Sequence, residues 1–107
     1  MKVRKLSGMK NGWFLGDFEP SALKTAKAEA AVKKYRKGEH EKKHFHKIAT
    51  EITVIASGEV EMNGKRYSEG DIIIIEPGEA TDFKAITDSV TFVVKVPSAP
   101  NDKYFGG

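Results

Sequence analysis

Short segments separated by turn residues are the feature that most constrains the fold of this chain. Its 107 residues include 10 glycines and 4 prolines, which interrupt the apolar runs throughout. Frequent turn residues between short apolar runs are typical of all-β proteins, in which short strands are joined by turns. Asn63-Gly64 lies between two such runs, and both residues tolerate the positive φ of a two-residue hairpin turn. The sequence therefore predicts one all-β domain, for which a hydrophobic content of 39% provides a single core.

The predicted strands are short apolar or alternating segments. They cover residues 28–36, 51–57, 59–63, 65–67, 71–75, 81–86 and 90–96. The first is ambiguous, because residues 21–35 are rich in Ala and Lys, and Ser21 after Pro20 could cap a helix. Alternation from Ala28 onward favours a strand. Ile72 to Ile75 are apolar on both faces, so we expect both sides of that strand to be covered, since exposure would promote aggregation.

Charge and composition exclude several classes of function. The net charge is only +3, and acidic residues interrupt the most basic stretch, 33–47, so no nucleic-acid partner is predicted. No apolar run approaches the roughly 20 residues that a membrane span needs, so no membrane partner is predicted either. The absence of cysteine excludes disulfides, thiolate metal sites and a cysteine nucleophile. The basic start leads to Gly8 rather than to an apolar signal core, which makes a cytoplasmic protein the default interpretation.

A His-x-His pair followed by a carboxylate is the candidate chemical site. His44 and His46 would share one face of a strand, so their imidazoles could converge on one metal ion. Glu51, which opens the next strand, would supply a third ligand of the hard, oxygen-donor type. Two imidazoles and one carboxylate leave positions open for water or substrate, as in non-haem iron sites. The string alone is equally compatible with two ordinary histidines in a Lys/Glu-rich loop.

Glycines at fixed spacing place this string in a longer pattern. Gly38, His44, His46, Glu51 and Gly58 resemble the first cupin motif at every fixed position and spacing. After eleven further residues, the segment 70–81 resembles the second cupin motif, with its Gly-Asp turn, aliphatic strand and Pro-Gly pair. The chain is thus similar to small single-domain cupins. The resemblance implies one domain over residues 1–107, with the N-terminal segment 1–27 and the C-terminal tail 97–107 as packing arms.

The second motif departs from the family pattern. That pattern has proline, histidine and asparagine where this chain has Glu76, Thr81 and Ala85. The fourth metal ligand of a three-histidine cupin is therefore missing, although the hydroxyl of Thr81 could hold a bound water. Asp82 lies one residue further on, and alternation should point it away from the interior unless a bulge redirects it.

The resemblance implies a jelly-roll β-barrel of two antiparallel sheets, with a divalent metal ion inside one end. Its ligands would be His44, His46 and Glu51, and this set suits Fe, Mn, Ni, Co or Zn equally. Glu51 is the candidate catalytic base. Tyr35, Thr53 and Thr81 are the candidate substrate-binding residues that line the pocket.

Two functions follow from this resemblance. The first is a metal-dependent enzyme or ligand-binding protein for a small oxygen-rich molecule, with dioxygenase, isomerase and lyase as possible reaction types. The second is a non-catalytic cupin that binds a small ligand or a protein partner and has a degenerate metal site. The altered second motif supports the second function.

Strand alternation also predicts an assembly. If Glu51 and Ile55 face the interior, then Ile52, Val54 and Ala56 face outward as an apolar row. Exposed apolar rows often mark interfaces, and small cupins are commonly dimers. We therefore expect a homodimer in which outer sheet faces pack together, with the tail or the N-terminal strand crossing to the partner. The alternative is an N-terminal segment that covers the row of its own barrel.

Overall fold

The computed structural model describes all residues from Met1 to Gly107 and consists almost entirely of strands. The strands are β1 (Trp13–Gly16), β2 (Leu23–Lys24), β3 (Glu29–Tyr35), β4 (His40–Phe45), β5 (Thr50–Ser57), β6 (Glu59–Met62), β7 (Lys65–Ser68), β8 (Ile72–Ile75), β9 (Thr81–Ala85), β10 (Ser89–Val96) and β11 (Tyr104–Phe105). One 3-10 turn, Leu6–Gly8, precedes them. No helix has the length and hydrophobicity needed to cross a membrane.

The strands form two sheets, which confirms the predicted all-β class. The six-stranded sheet has the order β2-β1-β3-β10-β5-β8, and the five-stranded sheet has the order β11-β4-β9-β6-β7. Every pair is antiparallel except β1 with β2, where Leu15 lies beside Leu23. The two predicted antiparallel sheets are thus present, and at one edge β2 adds a two-residue parallel strand.

A small apolar core joins the two sheets at one end of the barrel. Its fully or nearly buried residues are Ile55, Val60, Met62, Ile75, Phe83 and Ala85. Ile55 comes from the six-stranded sheet and Phe83 from the five-stranded one, so the two sheets face each other. Further along the inner face of β5, polar Thr53 and Glu51 replace aliphatic residues. Apolar side chains therefore fill the interior around Ile55, and polar side chains line the interior from Thr53 to Glu51.

The segment at 28–36 forms a strand, because β3 lies between β1 and β10 and exchanges hydrogen bonds with both. The other predicted strands also occur, with ends that differ by one residue or so. The structure adds β1, β2, β4 and β11, which lack a clear apolar alternation. In β4 the sequence His-Glu-Lys-Lys-His-Phe is mostly polar, and pairing with β9 rather than local pattern makes it a strand.

Within one chain, only one face of the isoleucine strand is covered, and the expectation that both faces are covered is not met there. Ile75 is buried, but Ile72 and Ile74 are 64% and 60% exposed. β8 pairs only with β5 and lies at the edge of its sheet. In a barrel of two sheets, each strand has one inner face, and no third layer covers the outer one. The four-isoleucine run therefore has one buried and one exposed face.

Both terminal segments lie on the barrel of their own chain. β1 pairs with β3, and the ring centroid of Phe14 is 6.3 Å from that of Phe92. At the other terminus, β11 pairs with β4, so that Tyr104 stacks on Phe45 with ring centroids 5.5 Å apart. Within one chain, neither segment extends away from the domain.

Candidate functional site

The two histidines of the His-x-His pair occupy different local structures. His44 lies on β4 opposite Thr81 of β9, after a register shift that begins at Glu41. β4 ends at Phe45, so His46 is the first residue of the following turn. His46 is 4% exposed, whereas His44 is half-buried at the wall of a cavity. The register shift and the end of the strand bring both rings to the same region, with centroids 5.4 Å apart.

His46 is held in one tautomer and faces a carboxylate. Its Nδ1 contacts the carbonyl oxygen of Asp102, and since a carbonyl only accepts, Nδ1 carries the proton. Its buried Nε2 has no hydrogen-bond partner and lies 3.3 Å from Oε1 of Glu51. In a neutral ring this places a lone pair against an anionic oxygen, which is unfavourable without a cation or proton between them. This orphaned nitrogen fits a metal ligand.

His44 shows the same tautomer. Its Nδ1 donates to the carbonyl of Lys42 at 2.9 Å, which leaves Nε2 unprotonated in the neutral ring. Burial lowers the pKa of His44, and the nearby positive charge of Lys103 acts in the same direction. Both effects favour the neutral imidazole, which is the form that binds metal. Fixing Nδ1 with a backbone acceptor is the usual way in which proteins orient ligand histidines.

Glu51 is ionised at neutral pH despite its buried position. Burial alone would raise its pKa, but a hydrogen bond from His46 when its Nε2 carries a proton, the charge of Lys95 and a hydrogen bond from Thr53 together lower the pKa below its usual value. The hydroxyl of Thr53 donates to Oε2 of Glu51 at 2.9 Å. One carboxylate oxygen is thus fixed by Thr53, and the other faces His46.

In this structure, no three imidazole or carboxylate groups converge closely enough to hold a metal ion. His46 and Glu51 already meet, and His44 is the third donor of the predicted set. Thr81, opposite His44, donates its hydroxyl to the carbonyl of Asp82 at 2.8 Å. The carboxylate of Asp82 accepts the backbone N–H of Asn63 at 2.7 Å, so it serves a turn at the barrel surface.

A cavity of about 350 Å³ adjoins these residues. The three residues predicted to line the pocket, Tyr35, Thr53 and Thr81, all lie on its wall. Tyr35 donates a hydrogen bond to Glu41, and its ring packs on Phe83 with centroids 4.5 Å apart. Burial, followed by the charge of Glu41, raises the pKa of Tyr35, so the phenol remains protonated.

Sequence reasoning missed six charged residues of the cavity wall: Glu29, Lys33, Glu41, Lys95, Asp102 and Lys103. A usable signal existed for Lys95, because alternation along β10 puts it on the same face as Thr91 and Val93, which are buried. Glu29 and Lys33 alternate in the same way along β3. Charged residues on the inner face of a barrel strand indicate a polar cavity.

Asp102 is one of these missed residues. Its carboxylate accepts the backbone N–H groups of Lys47, Ile48 and Ala49 at 2.9–3.0 Å. Burial alone would raise the pKa of Asp102, but these three donors lower it below its usual value. Its partners lie 53 to 55 residues away, so no local pattern could reveal them. Asp102 thus ties the tail to the turn that carries His46.

No protein-family model and no curated protein matches this sequence. Solved structures do match. A protein with a double-stranded β-helix domain from Klebsiella pneumoniae is 22% identical, with a TM-score of 0.69 over 77% of this chain and 72% of its own. An RmlC-like cupin from Shewanella frigidimarina is 21% identical, with a TM-score of 0.66 over 73% of this chain and 72% of its own. The chain has a cupin fold.

A lyase of known structure also shares this architecture. The DMSP lyase DddQ from Ruegeria pomeroyi is 19% identical, with a TM-score of 0.72 over 87% of this chain and 49% of its own. In this chain, the two glycines at the ends of the first motif, Gly38 and Gly58, both have positive φ, at 90° and 86°. Glycine adopts this conformation without the steric cost that other residues pay.

Proposed function

We propose that this cupin binds one divalent metal ion through His44, His46 and Glu51, and that it binds or transforms a small oxygen-rich molecule in the adjoining cavity. One observation carries the proposal. The buried Nε2 of His46 has no hydrogen-bond partner and faces a carboxylate oxygen 3.3 Å away. A buried polar atom without a partner is costly, so an unpaired nitrogen aimed at an anion requires a cation or a proton between the two atoms, and a divalent ion bound to both would supply it.

The residues of the site have distinct roles in this proposal. A divalent ion held by His44, His46 and Glu51 would polarise a carbonyl or carboxylate oxygen of the ligand and, if it were iron, would activate dioxygen. The Asp102 carbonyl and the Lys42 carbonyl orient His46 and His44 by accepting their Nδ1–H groups. Glu51 reduces the net charge of the centre and is the candidate base for a proton of the ligand.

Among the reaction classes, lyase, isomerase and dioxygenase all suit this site. The fold neighbour DddQ is a lyase, and another neighbour is a sugar phosphate isomerase. Both support an enzyme that acts on a small polar molecule, although one fold hosts many chemistries. The nitrogen and oxygen donors suit Fe, Mn, Ni, Co and Zn.

Metal analysis of the purified protein tests this proposal. We expect one divalent ion per chain in the wild type, and His46→Ala should lower the occupancy to below about a tenth because it removes a direct ligand. His40→Ala is the matched control, since His40 is exposed and absent from the cavity wall. Circular dichroism should show the same strand signal in all three proteins. Full occupancy in a protein that lacks both His44 and His46 would place the metal elsewhere.

A non-catalytic cupin is the second candidate function. Two observations favour this candidate. Only two of the three ligand groups converge, and position 81 is a threonine. A protein that is metal-free as purified, that takes up no added divalent ion and that unfolds at the same temperature with and without metal would support this candidate over the first.

We further propose that two copies associate through the outer face of the six-stranded sheet. The exposed apolar residues of this face are Ile52, Ile72, Ile74, Phe92 and Val96. Strand register places them side by side across β8, β5 and β10. The N-terminal segment contacts this face at Phe92, through Phe14. Monomers seldom expose a contiguous apolar face of this kind, and the same face on a second copy is the matching surface.

Light scattering after size exclusion tests the dimer. We expect a mass near twice 11.8 kDa at micromolar concentration. Ile74→Lys should give the monomer mass, because it places a charge within the apolar face without disturbing the core. Leu23→Lys is the control, since Leu23 is 61% exposed on β2 at the opposite edge of the sheet. A wild-type monomer, or a dimer that survives Ile74→Lys, would contradict this interface.

A further inference from the structure

Two lysines of the cavity wall lie over the ring of Trp13. The Nζ of Lys95 is 4.8 Å from the ring centroid, and the Nζ of Lys33 is 5.4 Å from it. Both distances are within the range of cation–π contacts. Because β1 pairs with β3, the N-terminal segment brings Trp13 to the cavity, where all three residues contribute to the wall. The indole therefore holds the two ammonium groups on one side of the cavity.

Lys95 differs from Lys33 in having no protein anion bound to it. Lys33 is 3.5 Å from Oε2 of Glu41, which also accepts the Tyr35 hydroxyl. Lys95 lies between Glu29 and Glu51 in strand register, but neither carboxylate comes within 4 Å of its ammonium group, and it donates no hydrogen bond to the protein.

The neighbouring carboxylates of Lys95 are already engaged. Glu29 accepts the hydroxyl of Ser98 at 3.3 Å, and Glu51 accepts that of Thr53 at 2.9 Å. Burial lowers the pKa of Lys95, against the opposing effect of these two carboxylates. A desolvated ammonium with free donors gains most from an anion that enters from the cavity.

The cavity limits the size and charge of that anion. Its volume of about 350 Å³ is near the lower end for small-molecule pockets. The cavity wall carries five carboxylates, of Glu29, Glu41, Glu51, Asp82 and Asp102, and three ammonium groups, of Lys33, Lys95 and Lys103, so a doubly charged phosphate would meet net repulsion. A carboxylate carries a single negative charge, which the ammonium group of Lys95 alone can balance.

We propose that Lys95 binds the carboxylate of a small monocarboxylic acid, with Trp13 holding the lysine in place, so that the rest of the acid lies toward His44 and Glu51. The inference rests on the proposed function in taking this cavity as the ligand site. It assigns Lys95 as a specificity-determining residue and the monocarboxylic acids as the ligand class.

Titration calorimetry with a panel of acids tests the proposal on the full chain, with metal added and without. The probes are acetate, propionate, glycolate, lactate and pyruvate, each beside its uncharged amide. We expect at least one acid to bind while its amide does not. Lys95→Met should lower the affinity for that acid by about tenfold or more. The substitution removes a charge-assisted hydrogen bond but keeps an aliphatic side chain over Trp13. Lys95→Arg should retain most of the affinity, and Lys65→Met, on exposed β7, should change nothing.

Trp13 provides a second measurement because it is the only tryptophan of the chain. Binding of the acid beside Lys95 should change its fluorescence in the wild type and in Lys95→Arg, and not in Lys95→Met. Equal affinity in the wild type and Lys95→Met, or no binding by any acid at millimolar concentration, would overturn the proposal even if metal analysis supports the metal site. Binding that depends on Lys95 in a protein that takes up no metal would support it while the metal proposal fails.

Discussion

Replacing Asp102 by alanine is expected to lower both the stability of the fold and its affinity for metal. The carboxylate accepts three backbone N–H groups, of which that of Ala49 is buried. Their loss should reduce the free energy of unfolding by about 3 kcal/mol, since each bond to a charged acceptor contributes roughly 1.5–3 kcal/mol and water replaces part of it. Urea denaturation measures this change.

The same substitution frees the segment whose carbonyl orients His46. The affinity of the folded protein for Zn²⁺ or Co²⁺ should therefore fall by roughly 10- to 100-fold, the usual effect of losing a group that positions a metal ligand. Asp88→Ala is the matched control, because Asp88 also accepts a backbone N–H, from Lys37 at 2.8 Å, but lies at an exposed turn. A loss of stability with unchanged metal affinity would limit Asp102 to a structural role.

The position of Asp102 illustrates what a single sequence can and cannot predict. The fixed spacing from Gly38 to Gly58 identified His44, His46 and Glu51 as the candidate site, because such a spacing reflects the turns and strands that position these residues. Period-two alternation predicted that Thr53 and Ile55 face inward, and they are 3% and 0% exposed. Each of these inferences uses residues close together in the chain.

The features that were missed depend on partners distant in sequence. The turn at His46 is held by a tail residue more than fifty positions away, and β4 becomes a strand through β9 despite its polar sequence. The exposure of Ile72 depends on how many layers the fold has, which four consecutive isoleucines do not reveal. Trp13 reaches the cavity only because β1 pairs with β3.

The glycine that ends the first motif should be the least replaceable residue of that motif for folding. Gly58 has a φ of 86°, and a Cβ added there would lie 2.8 Å from the Cα of Ser89 and overlap the carbonyl oxygen of Asp88. Both neighbours are backbone atoms, which cannot move without shifting the start of β10. Gly38 has a similar φ of 90°, but nothing lies within 4 Å of an added Cβ. The two glycines therefore separate backbone strain from crowding.

We expect Gly38→Ala to lower the free energy of unfolding by about 1–2 kcal/mol, the cost of a left-handed conformation for alanine. Gly58→Ala should cost at least about 3 kcal/mol, because overlap with the backbone adds to the same strain. Urea denaturation of the two variants beside the wild type measures both values, and the difference between them isolates the crowding. Equal losses would mean that the chain around Asp88 and Ser89 relaxes freely, so that Gly58 is required for its φ alone.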